Sequence, residues 1–459
     1  MFNARMSDPE ARATQADDSR PLDSGPDAGT PDPGVVMIFS GHEPCCVPVS
    51  LAEPVELGRG QGALPSLKDP MLSRRHARLA WELGRFHLTD LGSRNGSAVD
   101  GERLDGTVIT DTARVLRLGH SLFLLARDVR PFRQYGVIVR DERIEGPSTQ
   151  RLLFSVARVG QLGRTLFIGG ESGSGKEGAA RAFHQGGPAR DGPFVAVNCA
   201  AIPEGIAERL LFGALKGAYS GAATDTEGYL QASSGGTLFL DEVADLELAV
   251  QGKLLRVIES GDVTPLGATR SRKVDLRVCS ATCKDLRGLT SAGRFRADLF
   301  FRLGVPQVSV APLRERHEEI PWLVARAVGR VSPELAVHAT LVEACLLRPW
   351  PGNVRELLAE VHTAAITALT AGSASVGASH LSPAAGGALH VTRAPPDSPT
   401  AASASAPAAP PDPSAQERVR LLTALEQNSG NVSATARALG LHRTQLRRLL
   451  ARHHIDAGR

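Results

Sequence analysis

Short apolar runs separated by turn residues fill the chain between about residues 35 and 126. The clearest runs are residues 35–39, 77–81, 85–88 and 121–125. Runs of about four to eight residues that end in Gly, Pro, Asn, Asp or Ser are typical of antiparallel strands in a sandwich. We therefore predict an all-β sandwich over residues 35–127.

A different pattern begins near residue 140. Residues 150–159 carry apolar side chains at helical spacing, and near-continuous apolar runs follow at residues 164–168, 194–197, 237–240 and 276–280. Parallel strands covered by helices on both faces show such runs. The pattern predicts a doubly wound α/β domain over residues 140–372, preceded by a connector at residues 128–140.

Two segments contain almost nothing that a core would bury. Residues 1–34 are rich in Asp, Pro, Ser and Gly, and residues 382–414 are rich in Ala and Pro. We predict a disordered tail and an extended linker, respectively. After the linker, three short helical patterns with a turn at Gly440 predict a small all-α helix-turn-helix domain over residues 415–459.

Composition limits the classes of protein. The 459 residues are 42% apolar, which is enough for about three domains at ~150 residues each. The six cysteines lack paired zinc-ligand spacing and are predicted to be reduced thiols. No apolar run approaches ~20 residues and the N-terminus lacks a signal-peptide core, so we expect a cytoplasmic protein without membrane contact.

A glycine-rich loop lies between the first parallel strand and a helix predicted from Gly178. Its glycines allow backbone N–H groups to converge on a phosphate, and Lys176 can reach the terminal phosphates. We predict that ATP binds this loop. The residues assigned to nucleotide binding are Gly170, Glu171, Ser172, Gly173, Ser174, Gly175, Lys176 and Glu177.

A second element supports this assignment, because a glycine loop alone can arise by chance. The apolar run at residues 237–240 ends in Asp241 and Glu242. Two carboxylates at the end of a buried strand suit magnesium binding and water activation. We predict that Asp241 holds Mg²⁺ and that Glu242 orients the attacking water.

The residues between these two elements resemble a known family. Residues 211–222 read LFGALKGAYSGA, which is similar to the GAFTGA loop of sigma-54-dependent transcription activators, a branch of the AAA+ ATPases with an α-helical lid. The resemblance implies that the loop contacts sigma-54, with an aromatic residue presented at its tip. The contact residues would be Gly217, Ala218, Tyr219, Ser220, Gly221 and Ala222.

Further residues match this family. The resemblance implies that Asn198 is the switch partner of Glu242, that Arg296 and Arg302 reach a neighbouring subunit's nucleotide, and that Arg355 senses nucleotide from the lid. The active form would be a hexameric ring, with a dimer otherwise. Two positions depart from the pattern: Ala214-Leu215 replaces the usual His-Glu, and Cys283 replaces a polar sensor residue.

Three predicted loops of the sandwich contain Gly58-Arg59, Ser73-Arg74-Arg75-His76 and Ser93-Arg94-Asn95-Gly96. At these spacings they resemble the loops of the forkhead-associated (FHA) domain. The resemblance implies a phosphothreonine site formed by Arg59, Ser73 and Asn95, with His76 bracing the loop. Arg74 adds a second cation for the phosphate charge. The alternative is that these arginines are only solvated.

In the C-terminal segment, residues 430–441 read GNVSATARALGL, which resembles the Fis-type DNA-binding domain. Residues 415–459 carry eight arginines against three acidic residues, which favours DNA as the partner. Arg443, Thr444, Gln445 and Arg447 are predicted near base edges, and Arg448 and Arg452 near phosphates. A basic helix that is only a solvated face remains the alternative.

Together these features predict a multidomain transcription activator: an FHA sandwich, an AAA+ ATPase with a lid and a Fis-type domain. The expected partners are sigma-54 RNA polymerase, promoter-upstream DNA and a phosphothreonine-containing protein or kinase. A first alternative is a diverged regulator that binds nucleotide and DNA but does not remodel sigma-54, which Cys283 and Ala214-Leu215 favour. A second is an FHA-type adaptor that binds no DNA.

Overall fold

The computed structural model describes residues 30–387, apart from residues 60, 63–68, 141–142 and 221. The described residues belong to one compact unit. The sandwich contains the strands Gly34–Ser40 (β1), Glu43–Ser50 (β2), Val55–Gly58 (β3), Gln61–Gly62 (β4), Ala77–Glu82 (β5), Arg85–Asp90 (β6), Ser97–Val99 (β7), Glu102–Leu104 (β8), Thr107–Thr110 (β9), Val115–Leu118 (β10) and Ser121–Ala126 (β11).

These strands form two antiparallel sheets, with orders β2-β1-β11-β10-β7-β8 and β4-β3-β5-β6-β9. The space between the sheets is filled by side chains such as Val35, Met37 and Phe123. The alternate positions on β1, Val36 and Ile38, are also fully buried, because they pack outside the sandwich against helices that come later in the chain. Burial on both faces explains why β1 and β11 are continuously apolar.

The predicted connector at residues 128–140 is partly helical. Its elements and those of the α/β domain are Arg130–Tyr135 (α1), Ile138–Arg140 (β12), Arg143–Glu145 (β13), Pro147–Leu162 (α2), Thr165–Gly169 (β14), Lys176–Gly186 (α3), Phe194–Asn198 (β15), Ala207–Phe212 (α4), Tyr229–Ala232 (α5), Thr237–Asp241 (β16), Leu248–Ser260 (α6), Asp262–Val263 (β17), Arg272–Lys273 (β18), Arg277–Thr282 (β19), Leu286–Ser291 (α7), Ala297–Leu303 (α8) and Gln307–Ser309 (β20). Short 3-10 helices span Cys199–Ala201 and Val243–Asp245.

The central sheet is parallel, with the order β15-β16-β19-β14-β20. Strands β14, β15, β16 and β19 start and end within two residues of the predicted apolar runs, whereas the edge strand β20 was not predicted. Helices α2 and α3 cover one face of the sheet, where they pack against Ile168 and Phe239. Helices α6 and α8 pack on the other face with Leu238 and Leu240. The carboxyl ends of β14, β16 and β19 therefore meet at one edge, where the predicted site residues lie.

A helical lid follows, after 3-10 helices at Leu313–Glu315 and His317–Glu319. It contains Ile320–Val331 (α9), Ala336–Val337 (β21), Ala339–Leu346 (α10), Asn353–Thr370 (α11), Ser375–Val376 (β22) and a 3-10 helix at Ala378–His380. The lid core includes the fully buried Trp350 and extends past residue 372 to Ala385. None of the described helices is long and apolar enough to cross a membrane.

The close contact between α2 and α3 yields a stability prediction. A Cβ added at Gly160 would lie 2.5 Å from the backbone oxygen of Phe183, so Gly160→Ala should force the helices apart and cost about 1–3 kcal/mol. In contrast, Gly329→Ala on α9 meets nothing within 4 Å and should stabilise its helix by about 0.5–1 kcal/mol. Thermal unfolding of both variants checks this, and equal midpoints would contradict the close packing.

Candidate functional site

The glycine loop joins β14 to α3, as the sequence predicts. Gly173 and Gly175 have φ values of 71° and 101°, which side chains rarely adopt. A Cβ at Gly173 would also lie 2.2 Å from the backbone oxygen of Gly352 in the lid. Glycine is therefore required there both for the turn and for the close approach of the lid. Gly170, Glu171, Ser172 and Ser174 lie in the same loop.

Lys176 lies at the centre of this site. Its side chain is 7% exposed, and Nζ donates to the backbone oxygens of Gly170 (3.0 Å) and Glu171 (3.2 Å) and lies 3.4 Å from Oε1 of Glu242. The hydroxyl of Ser174 is buried and has no hydrogen-bond partner among the described residues. A buried cation, an unused donor and the N-terminus of α3 fit a bound phosphate chain. Glu177 is exposed and pairs with Arg181.

The two carboxylates at the end of β16 have different environments. Burial raises the pKa of Asp241. Burial would also raise the pKa of Glu242, but hydrogen bonds from the N–H of Cys283 and the hydroxyl of Thr282 lower it below its usual value. Glu242 also has a strained backbone, with φ 50°. Strain and charge stabilisation at one carboxylate mark it as a functional position, and Asp241 beside it is a suitable oxygen ligand for Mg²⁺.

The predicted pairing of Glu242 with Asn198 is not observed. Asn198 lies beside Asp241 on the neighbouring strand, but its side chain accepts a hydrogen bond from the backbone of Ala200 at 3.0 Å. Glu242 Oε2 instead accepts from Thr282 Oγ1 at 2.9 Å and from the N–H of Cys283 at 3.0 Å. The cap that Asn198 provides to the following 3-10 helix explains the difference. All six cysteines are free, and Cys283 is exposed.

The lid contacts the glycine loop through a fully buried asparagine. Asn353 Nδ2 donates to Glu171 Oε2 and to the backbone oxygen of Ser172, both at 3.0 Å, and Asn353 Oδ1 accepts from the N–H of Leu313. Arg314 forms a two-bond ion pair with Glu171 at 2.7 and 2.9 Å. Arg355, the predicted sensor, reaches the hydroxyl of Ser172 at 3.3 Å. The lid and the phosphate loop are thus directly linked.

The two arginines predicted to act on a neighbouring subunit lie on or beside α8. Arg296 pairs with Asp298 of its own chain at 2.7 Å. Arg302 is exposed and makes no ion pair with any residue in the described part of the chain. Arg302 is therefore available to a neighbouring molecule, whereas Arg296 must first leave Asp298.

The loop resembling GAFTGA is anchored at its base and folded back at its tip. The N–H of Leu215 donates to Leu266 O at 2.9 Å, and the N–H of Gly217 donates to Ala222 O at 3.0 Å. Tyr219 was predicted to be presented at the tip, but it is half-buried with its ring centroid 4.9 Å from the guanidinium carbon of Arg209 on α4. Ser220 is exposed. Gly221 lies outside the described residues.

Three loops of the sandwich meet around the buried His76. The N–H of Ser73 donates to Nδ1 of His76 at 3.1 Å, so Nε2 carries the proton and donates to Gly96 O at 3.2 Å. Burial lowers the pKa of His76, which agrees with a neutral ring. Asn95 Nδ2 donates to Met71 O at 2.6 Å. The histidine therefore joins the loops that carry the predicted phosphothreonine residues.

The two predicted phosphate cations are exposed at these loops. Arg59 and Arg74 are solvent-exposed and form no ion pair with any described residue, whereas the adjacent Arg75 is paired with Glu56 at 2.7 Å. Two unpaired arginines beside the Ser73 hydroxyl offer a suitable surface for a dianionic phosphate. The predicted DNA-contact residues, Arg443, Thr444, Gln445, Arg447 and Arg448, lie outside the described residues.

Four family models match the chain in the predicted order. They are the FHA domain at residues 55–119, the sigma-54 interaction domain at residues 144–309, the AAA+ ATPase lid domain at residues 314–395 and the Fis family of bacterial regulatory proteins at residues 413–453. The chain therefore has the domain order of the sigma-54-dependent transcription activators. This confirms the predicted fold classes: a β-rich FHA domain, an α/β AAA+ domain with a helical lid and a Fis-type helix-turn-helix.

Curated relatives include two regulators. The chain is 45% identical over 218 residues to the response regulator protein PilR of Pseudomonas aeruginosa, covering 46% of this chain and 49% of that protein. It is 43% identical over 227 residues to the anaerobic nitric oxide reductase transcription regulator NorR of Citrobacter koseri, covering 48% and 45%. The matched segment thus spans about half the length of these relatives. Among solved structures, NtrX of Brucella abortus in complex with ATP has 31% identity, 69% and 70% coverage and a TM-score of 0.48.

Four residues that shape the candidate sites were not predicted from the sequence. They are Thr282, Arg314, Asn353 and Arg209. Asn353 offered a clue, because it follows glycine at a helix start and Asn tolerates the positive φ of 53° observed there. The other three are ordinary polar residues whose partners lie far away in the sequence.

The position of Tyr219 yields a prediction about loop mobility. A half-exposed cation–π contact contributes about 0.5–1 kcal/mol, so Arg209→Ala should speed backbone hydrogen exchange in residues 213–222 by about two- to fivefold. Arg209→Lys keeps a cation, so its exchange rate should lie between those of the unmutated protein and Arg209→Ala. Arg256→Ala removes an exposed arginine from α6 and serves as the control. Unchanged exchange in Arg209→Ala would show that the arginine does not hold the ring.

Proposed function

We propose that this protein is a cytoplasmic ATPase that remodels sigma-54 RNA polymerase at promoters and is controlled by phosphothreonine recognition. The observation that carries the proposal is the convergence of Lys176, the Asp241-Glu242 pair and the lid residue Arg355 around one glycine loop. Such a site can bind a nucleotide, orient water and report the nucleotide state to the lid. The same domain carries the GAYSGA loop (residues 217–222), and the corresponding loop of the family contacts sigma-54.

Each residue has a defined task in this proposal. The loop amides and Lys176 bind the phosphates, and Asp241 holds Mg²⁺, which would neutralise charge on the phosphates when bound. Glu242 stays ionised and accepts a hydrogen bond from the attacking water. Because charge develops on the transferred phosphoryl group, a cation from outside the subunit accelerates the reaction. Arg302 supplies it in a hexameric ring, joined by Arg296 after release from Asp298; the protein is a dimer otherwise.

Asn198 acts as the switch partner of Glu242 in a second conformation. In the observed structure, Glu242 is held by Thr282 and the backbone of Cys283. Asn198 lies on the adjacent strand, directly beside Asp241 in the sheet register. A rotation of the Glu242 side chain away from Thr282 would therefore exchange one set of hydrogen bonds for another.

The FHA domain controls the ATPase, and the Fis-type domain brings it to promoter DNA. A phosphothreonine on a partner protein or kinase is bound by Arg59, Ser73, Arg74 and Asn95. Promoter-upstream DNA is bound by residues 415–459, with Arg443, Thr444, Gln445 and Arg447 toward the bases and Arg448 toward a phosphate. DNA binding brings the ring close to its polymerase target.

A second candidate function is a diverged regulator that binds nucleotide and DNA without remodelling sigma-54. The folded-back Tyr219 and the thiol of Cys283 at the sensor position favour it. The presence of Ala214-Leu215 is less unfavourable for a working sigma-54 contact loop than the sequence suggests. Both residues contribute backbone hydrogen bonds that anchor the loop, and these bonds do not require particular side chains.

A paired assay separates the two candidates. Ser220→Ala removes an exposed hydroxyl from the loop without touching the nucleotide site, so phosphate release should continue while open-complex formation on a sigma-54 promoter fails. Arg302→Ala should abolish both outputs but leave nucleotide binding intact. Arg294→Ala removes an exposed arginine of the same region and should change neither. A Ser220→Ala variant that retains both outputs would favour the diverged regulator, and one that loses both would assign the loop a structural role.

The phosphothreonine site is tested separately. Arg59→Ala should weaken binding of a phosphothreonine peptide by about tenfold or more, because a charge-assisted hydrogen bond contributes about 1.5–3 kcal/mol. Arg85→Ala, an exposed arginine on the second sheet, should bind normally. Calorimetry with phosphorylated and unmodified peptides provides the measurement. Equal affinity of the unmutated protein for both peptides would contradict the assignment.

A further inference from the structure

The FHA sandwich is packed directly against the AAA+ lid. The outward-facing residues of its first sheet, including Val36, Val115 and Leu124, share one continuous buried core with lid residues such as Val324 and Leu346. A sheet face with so many fully buried aliphatic residues is an integral contact, because exposing it would forfeit about 25 cal/mol for each Å² of apolar area. The two domains therefore behave as one packed body in this conformation.

An ion pair fixes the register of this contact. Arg117 on β10 donates from Nε to Glu343 Oε2 on α10 at 2.8 Å, and the Glu343 side chain is only 9% exposed. Burial raises the pKa of Glu343, and Arg117 opposes this rise. The second oxygen, Glu343 Oε1, has no partner among the described residues. Removing Arg117 would thus leave a buried carboxylate without compensation, which is strongly unfavourable.

Two turns of the sandwich also touch the lid. In the β1–β2 turn, His42 Nδ1 lies 2.9 Å from the backbone oxygen of Val337. In the β10–β11 turn, the ring of His120 packs edge-on against the ring of His338, with 4.7 Å between centroids. The lid thus contacts the first sheet along its length and at the turns at one end.

One buried side chain connects the His120 turn to the phosphothreonine loops. Asp69 is fully buried, and its Oδ2 accepts from the N–H of His120 at 2.7 Å and from Ser121 Oγ at 2.9 Å. Its Oδ1 accepts from the N–H of Met71 at 2.8 Å. The carbonyl of Met71 in turn accepts from Asn95. A movement of Asn95 toward a phosphopeptide therefore acts on the residue that positions His120 against the lid.

Other residues of the lid contact the nucleotide site. Asn353 and Arg355 bond to the glycine loop, and the lid backbone approaches Gly173 closely. The same lid thus contacts the phosphate loop and the FHA domain. A rigid element with a binding site at each side can transmit a change of state between them when both sites bias its position.

We propose that phosphopeptide binding and nucleotide binding are energetically coupled through the FHA–lid contact, with Asp69 as the positioning residue between the phosphothreonine loops and the lid. The inference rests on the proposed phosphothreonine function and adds its route to the ATPase site. Coupling of this kind is reciprocal, because each ligand must change the other's affinity by the same factor.

The test uses the full-length protein, a fluorescent ATP analogue and a degenerate peptide pool with phosphothreonine fixed at its centre. A saturating amount of the pool should shift the affinity for the analogue by about fivefold or more, and saturating analogue should shift peptide affinity by the same factor. Arg117→Glu should remove this shift, and the double variant Arg117→Glu with Glu343→Arg should restore it. Arg85→Glu on the second sheet should keep it.

The variant His120→Ala tests the contact with the lid separately from the phosphopeptide site. It removes the ring contact with His338 but leaves the hydrogen bond from the backbone N–H of residue 120 to Asp69. The affinity for the peptide should therefore stay within twofold, while the peptide-induced shift in affinity for the ATP analogue should become smaller. If the pool binds but nucleotide affinity does not change, or if Arg117→Glu keeps the full shift, the coupling is wrong and the phosphothreonine assignment stands. Failure of the pool to bind the unmutated protein overturns both.

Discussion

The apolar packing between the first sheet of the sandwich and the lid helices determines how the described part of the chain is arranged. Strands β1 and β11 bury one face inside the sandwich and the other against α9 and α10. The lid in turn rests on the glycine loop through Asn353, which is fully buried and satisfies three different backbone or side-chain groups. The lid is therefore held both by the sandwich and by the glycine loop.

Much of the fold could be predicted from the chain, because the deciding features are local. Four of the five strands of the parallel sheet have their own apolar runs, and the glycine loop needs glycine at Gly173 and Gly175 whatever surrounds them. The family resemblance extended this to the domain order. The continuous apolar runs of β1 and β11 agree with the burial of both faces that the structure shows, although only a sandwich was predicted from them. The partner of the outer face was not indicated, since it is formed by helices roughly 200 to 300 residues later in the chain.

The polar contacts of the site were harder to foresee for the same reason. Glu242 could bond to any donor at the carboxyl edge of the sheet, and the sequence offers Asn198, Thr282 and Cys283 there. The choice depends on competing local bonds: Asn198 is used as a helix cap, which leaves Thr282 and the Cys283 backbone for the carboxylate. Tyr219 is a similar case, because its environment depends on Arg209 in a preceding helix.

These contacts also explain why the substitution at Cys283 is compatible with a functional carboxylate. The group that holds Glu242 at this position is the backbone N–H, which any residue except proline provides, together with the hydroxyl of Thr282. A weakly polar thiol therefore leaves the orientation of Glu242 intact in this conformation. What a thiol lacks is a strong side-chain donor toward the nucleotide, so its effect would fall on sensing the phosphate and not on holding the carboxylate. In the proposed function, more of that sensing would fall to Arg355 of the lid, and the lid is the element on which the FHA domain is packed.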